Sequence, residues 1–198
     1  MNTIRAFIAV PLSDEVKSGL ADVARTLAAS IPRGAVRWVR PEQIHLTLWF
    51  LGDTPTDQLA AVQRGMDVAA ESNLPFTLHL GDLGCFPSFQ RPRVIWIGLA
   101  GEEGRLASLK VALDAQLLAL GRIPENKPFR AHLTLGRVKD ERDVRGVEWT
   151  AEIPHLAVPI TTLHLIESQL RPDGPVYTIR HTSPLTGGSK QLTVASKQ

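Results

Sequence analysis

His45-Leu46-Thr47-Leu48-Trp49-Phe50-Leu51-Gly52 and Phe129-Arg130-Ala131-His132-Leu133-Thr134-Leu135-Gly136-Arg137-Val138 carry one tetrapeptide, His-Leu-Thr-Leu, at two places in a chain of 198 residues. On an extended strand successive side chains alternate between faces. His45 and Thr47 then point one way while Leu46 and Leu48 point the other, into a core, and His132 and Thr134 stand in the same relation to Leu133 and Leu135. Each strand presents an imidazole beside a hydroxyl. The approach to each tetrapeptide repeats as well: a helical pattern, a break and the apolar strand span 14–48, and the same succession spans 102–135. Two copies are a duplication rather than a fixed-period array, so two related lobes facing each other across a cleft are expected.

Around these strands the pattern alternates between helix and strand. Residues 4–10 read as a strand, and Ser13 stands as a helix N-cap ahead of Val16, Leu20, Val23 and Leu27 at helical spacing. Strands are predicted over 36–39 and 44–51, the second closing at Gly52, and Thr54-Pro55 is expected to start a helix with the stripe Leu59, Val62, Met66 and Ala69. Strands over 76–80 and 94–99 flank a turn-rich segment with Gly81, Gly84, Pro87 and Pro92. A third helix is expected from Glu102 to Leu120, capped by Gly121, then strands over 129–138, 161–168 and 176–182. The connections around Gly84 and after Val138 are not regular parallel crossovers, which favours an α+β fold. One domain over 1–186 and a loosely held tail over 187–198 are expected.

Composition narrows the function. Formal net charge is +2 with 21% charged residues, and neither half is a basic arm, so duplex DNA is not expected as a partner. The basic residues lean to arginine, whose forked donors suit phosphate. The single Cys85 permits no internal disulfide and no thiolate zinc cluster. The opening apolar run is too short for a signal-peptide core and no apolar span reaches membrane length, so a cytosolic, unanchored protein is expected.

Two imidazoles with ordinary pKa near 6.5 can share the work of displacement at phosphorus, one neutral and accepting a proton, the other charged and donating one. Thr47 and Thr134 would hold non-bridging oxygens. No nucleophile elbow, Walker loop or dinucleotide glycine fingerprint is present, and His-x-Thr lacks metal-ligand spacing, so chemistry without a metal or other cofactor is expected. His79, His155, His164 and His181 have no such twin and are assigned structural or surface roles. Strict alternation puts Arg130 on the face of His132, and it puts Trp49 on the face of His45; Trp49 and Phe7 are the candidates for stacking a terminal base.

The two strings resemble the paired H-x-T-x motifs of the 2H phosphoesterase superfamily. Within it the chain is similar to the RNA 2′,3′-cyclic phosphodiesterase group, long called 2′-5′ RNA ligases, through Arg5-Ala-Phe-Ile-Ala-Val10, His45 to Gly52, Val94-Ile-Trp-Ile-Gly98, Phe129 to Val138, Leu165-Ile-Glu-Ser168, Gly174 and Tyr177. The resemblance implies a bilobal α+β fold with a pseudo-twofold axis, antiparallel sheets, outer helices and an active-site cleft between the lobes. It implies metal-independent hydrolysis of a terminal 2′,3′-cyclic phosphate on short or tRNA-like RNA to a 2′-phosphomonoester by a monomer, and the reverse 2′-5′ joining without ATP. By position His45 would be the proton donor and His132 the acceptor, roles that the residues alone leave open. The family's phosphate-contacting arginine falls at Arg137, of opposite parity to Arg130, and Gly136 could reconcile the two by ending or bulging the strand. Two rival expectations are a small-nucleotide cyclic phosphodiesterase and a non-catalytic RNA-end binding module.

Overall fold

The computed structural model describes residues 2–124, 128–172 and 174–188. Strand β1 (Thr3–Val10) leads to helix α1 (Asp14–Ser30), capped by the Ser13 hydroxyl accepting from the Val16 amide. There follow β2 (Val36–Trp38), β3 (Leu46–Pro55), α2 (Leu59–Glu71), β4 (Phe76–Phe86), β5 (Val94–Gly101), α3 (Glu103–Ala119), β6 (His132–Val138), β7 (Ala157–Ile160), β8 (Thr162–Arg171) and β9 (Gly174–Pro184). The strands form one antiparallel sheet in the order β7-β4-β5-β6-β3-β1-β8-β9, with β2 added to β6.

The halves β9-β8-β1-β3 and β6-β5-β4-β7 join at a single backbone pair, Leu46 with Leu133, the residues that follow His45 and His132. The twofold relation anticipated from the repeat therefore passes between the two tetrapeptides. Both leucines are fully buried. The helices are exchanged across this axis. Gly19 of α1 lies against Pro154 and Leu156 beside β7, so a methyl group there would meet the Leu156 side chain, while Lys110 of α3 lies over Trp49 of β3. Helix α2 packs on α3 and on β8 and β9. Ile8, Leu20, Leu46, Met66, Leu109, Leu113 and Leu133 fill the shared core, and its apolar area is the main cohesive term joining the halves.

Several boundaries differ from those predicted. Strand β3 starts at Leu46 and runs through Gly52 to Pro55, because Gly52 takes φ +66 and lets the strand kink while still pairing with Ala6. Thr54 and Pro55 are therefore strand, and α2 starts at Leu59 after a short 3-10 turn. Strand β4 passes through Gly81 and Gly84 instead of turning, since the Trp96 indole lies where a side chain at Gly84 would stand. Strand β6 starts at His132, not Phe129, and β7 was not anticipated. Gly187 donates its amide to the Asn73 carbonyl at the end of α2, so the segment expected to be loose is held at its first residue; 189–198 lie outside the described residues.

Candidate active site

Both histidines are oriented by the same local device. His45 Nδ1 lies 2.7 Å from the Gln43 carbonyl, and His132 Nδ1 lies 2.8 Å from the Arg130 carbonyl, each two residues upstream. A carbonyl only accepts, so Nδ1 carries the proton in both rings and Nε2 is left to face the site. No hydrogen bond among the described residues engages either Nε2, nor the hydroxyls of Thr47 and Thr134.

The walls around the two rings differ. Phe7 stacks on His45 with centroids 4.6 Å apart, and Tyr177 meets both rings edge-on, at 5.6 Å from His45 and 5.3 Å from Phe7. Gln43 donates to the Pro175 carbonyl at 2.6 Å, which ties the β8–β9 hairpin to the turn before His45. Burial first, with a smaller push from His132, takes the His45 imidazole down to about 4 against the opposing pull of the Gln43 carbonyl. His132 is the more accessible ring, flanked edge-on by Phe86 at 5.0 Å and by Trp96 at 6.2 Å. It too is held below its ordinary value, first by burial and then by the Arg137 and Arg130 guanidinium groups, against the pull of the Arg130 carbonyl.

A bulge in each motif decides which later side chains reach this face. Along β3 the pairing with β1 steps from Thr47 opposite Ala9 to Trp49 opposite Ile8, skipping Leu48. Along β6 the pairing with β5 steps from Thr134 opposite Trp96 to Gly136 opposite Ile95, skipping Leu135. Two consecutive residues then face the core in each copy, and the next, Phe50 or Arg137, returns to the histidine face. Strict alternation consequently misplaces Trp49, which is 5% exposed in the main core under Lys110 and cannot stack a base beside His45. Phe50, 57% exposed and 6.3 Å from Phe7, occupies the place expected of it. Phe7 is likewise no platform: at 4% exposure its ring is a wall for His45.

The register step at Leu135 and Gly136 turns Arg137 to the histidine face, where its charge helps to lower His132. Arg130 lies over Trp96 at 5.2 Å and Phe86 at 6.0 Å, on the rim next to His132. Gly136 is the residue at which the parity conflict between the two arginines is resolved, because Val36 and Trp38 pack where its side chain would be. Neither Phe50, Phe86 nor Trp96 was anticipated at the site; their signal was the doubled apolar step after each threonine and the register of β5. His164, assigned a structural or surface role, pairs with Ala9 on the histidine face and is held below its ordinary value by burial. His79 and His155 stack on each other at 4.8 Å, and His181 with Ser183 holds Asp67, which links β9 to α2. Among the described residues no three histidines, cysteines or carboxylates come together in a way that could hold a metal ion.

Two imidazoles and two hydroxyls related by a twofold axis on one face of a duplicated antiparallel sheet define a two-histidine phosphoesterase. The profile of the LigT like Phosphoesterase family matches the chain twice, over residues 10–96 and 97–177, one match for each repeat. A curated relative from Thermus thermophilus, named RNA 2′,3′-cyclic phosphodiesterase, is 34% identical over 194 residues, covering 93% of this chain and 91% of its own. A crystal structure from the same organism superposes with a TM-score of 0.76 at 33% identity, covering 93% of this chain and 99% of the other. E. coli LigT complexed with 3′-AMP superposes with a TM-score of 0.73 at 27% identity, covering 93% and 99%. The chain belongs to the LigT-like phosphoesterase family.

Proposed function

We propose that the chain hydrolyses 2′,3′-cyclic phosphates at RNA ends to 2′-phosphomonoesters, with His45 and His132 as the proton-transfer pair. The observation that carries this is the matched orientation of the two rings, each pinned through Nδ1 to the carbonyl two residues upstream and each offering Nε2 to the same face. The curated relative's name and the nucleotide bound to E. coli LigT support a ribonucleotide substrate.

His132 accepts a proton from the attacking water as its oxygen bonds to phosphorus. The P–O3′ bond breaks, and His45 donates its Nε2 proton to O3′, leaving the phosphate on O2′. Thr47, Thr134 and Arg137 hold the non-bridging oxygens as negative charge gathers there. With a pKa of about 4 in the free protein, His45 is neutral at pH 7. Its donor role therefore requires the bound phosphate to restore the proton, which an anion beside a desolvated imidazole favours. With a ribose 5′-hydroxyl in place of water as the nucleophile, the same steps in the same direction join two ends through a 2′-5′ linkage without ATP: the 5′-oxygen bonds to phosphorus as His132 takes its proton, and the P–O3′ bond breaks as His45 protonates O3′.

The test is incubation of a short RNA ending in a 2′,3′-cyclic phosphate in EDTA, with 2′- and 3′-phosphate products resolved. A 2′-phosphate formed by the wild type and lost in His132→Ala is expected. Hydrolysis of adenosine 2′,3′-cyclic phosphate with none of the RNA would move the substrate to small nucleotides, and binding of both without turnover would leave a binding module.

A further inference from the structure

Arg37 and Arg137 are directly opposite each other in the antiparallel pair of β2 and β6. Val36 and Trp38 close over Gly136 on the core side, so the alternate residue of β2, Arg37, points to the other face. That is the face where Arg137 acts on His132 and Tyr177. Directly opposed residues have Cβ atoms about 5 Å apart, and like charges so placed destabilise a sheet. Among the described residues neither guanidinium has a hydrogen bond or a carboxylate partner to relieve this. Elsewhere in the sheet an arginine has an acidic cross-strand neighbour, as where Arg5 stands opposite Asp53.

We infer that Arg37 is a specificity residue that binds a second phosphate of the substrate, on the 5′ side of the ribose whose cyclic phosphate Arg137 holds. The inference rests on the cyclic phosphodiesterase function proposed above. One sugar separates successive phosphates of a ribonucleotide chain, a separation that two arginines on neighbouring strands can bridge while Arg137 stays on the reacting group. A second anion between the guanidinium groups would relieve their repulsion, so the unfavourable pair becomes favourable only when occupied. Either a 5′-terminal phosphate or an internal phosphodiester supplies that chemistry.

The experiment compares adenosine 2′,3′-cyclic phosphate, its 5′-phosphorylated form, and the dinucleotide ApA ending in a 2′,3′-cyclic phosphate, with wild type, Arg37→Ala and Arg37→Lys. Wild type is expected to favour the two substrates bearing a second phosphate by roughly tenfold in kcat/KM, the scale of one exposed charge-assisted contact. Arg37→Ala should lose that preference, turn over the simple cyclic nucleotide within about twofold of wild type, and melt at the same or a higher temperature. Arg37→Lys should retain most of the preference. A preference for ApA alone assigns the contact to a phosphodiester, and an equal gain with the 5′-phosphate assigns it to any second phosphate. Equal losses on all three substrates, or no preference in wild type, would overturn the inference. If none is hydrolysed, the proposed function fails separately, and calorimetry decides this point. Adenosine 2′,5′-bisphosphate binding roughly tenfold tighter than adenosine 2′-phosphate, in wild type but not in Arg37→Ala, upholds the second site. Equal affinities reject it.

Discussion

The His45 half and the His132 half of the sheet begin from the same tetrapeptide and end as different chemical environments. Both fix the ring through a carbonyl two residues back, both bulge after the threonine, and both return a side chain to the site three residues beyond that threonine. At that matched position one half has Phe50 and the other Arg137. The first ring is walled by Phe7 and Tyr177, the second by Phe86, Trp96 and two guanidinium groups. In the proposed reaction, duplication supplies the geometry of the proton-transfer pair, and the neighbours that differ supply its polarity. The apolar half suits a base or sugar, and the cationic half suits the phosphate.

The largest effect should come from what the halves share. His45→Ala and His132→Ala are each expected to cut turnover by about 10² to 10⁴ while the far-ultraviolet circular dichroism and thermal midpoint at pH 7 stay close to wild type. The double variant should fall little further than either single one, because the pair acts as a unit. Additive losses in steady-state kinetics would mean that the rings work independently.

The matched but unlike positions come next. Arg137→Ala should cost about 10² in kcat, since its charge serves the developing negative charge on the phosphate. Phe50→Ala should instead raise KM by roughly 5- to 100-fold with kcat nearly unchanged, the scale of one lost base-stacking contact. If the two variants showed the same split between kcat and KM, the polarity of the halves would have no part in catalysis.

The tetrapeptides, their duplication and the histidine–threonine face were legible in the sequence because each depends only on local alternation and on identity between copies. The side chains beyond Thr47 and Thr134 were not. Trp49 and Leu48 are both apolar, so the hydrophobic pattern is silent about the bulge that puts both in the core; that bulge is set by pairing with β1, a tertiary partner. The same holds at Leu135 and Gly136, where alternation alone favoured Arg130 and the register brings in Arg137 as well. Strand β4 was cut short at Gly81 because a glycine in a strand reads locally as a turn, whereas Gly84 is there to admit Trp96. Phosphate-facing Arg37 carried no signal at all until the pairing of β2 with β6 was known.

Titration probes the two environments without turnover. In the free protein the His45 carbon-bound ring proton, followed by NMR, should titrate near pH 4, and inorganic phosphate should move that midpoint upward. An unmoved midpoint under saturating phosphate would leave His45 neutral at pH 7 and reverse the donor and acceptor roles. For His132, Arg137→Gln should raise the midpoint by removing a neighbouring cation, and it should leave a depressed value behind because burial is the larger cause.

The same depression makes His45 a term in stability, with a definite sign. Its folded pKa, about 4, lies below the ordinary 6.5, so the unfolded chain takes up a proton that the folded ring refuses. The contribution is fully present above pH 6.5 and is lost as the pH falls from there toward 4. At about 1.4 kcal/mol for each pH unit between the two values, the loss approaches about 3 kcal/mol. His45→Gln keeps the shape and a donor for the Gln43 carbonyl but has no proton to refuse. Urea unfolding at pH 7 and pH 5 should show a smaller fall in stability for this variant than for wild type, with the remaining fall due to His132 and His164, which burial also depresses. An identical fall in both proteins would mean that the His45 wall of Phe7 and Tyr177 does not exclude water in solution, and that the contrast between the halves rests on the cationic side alone.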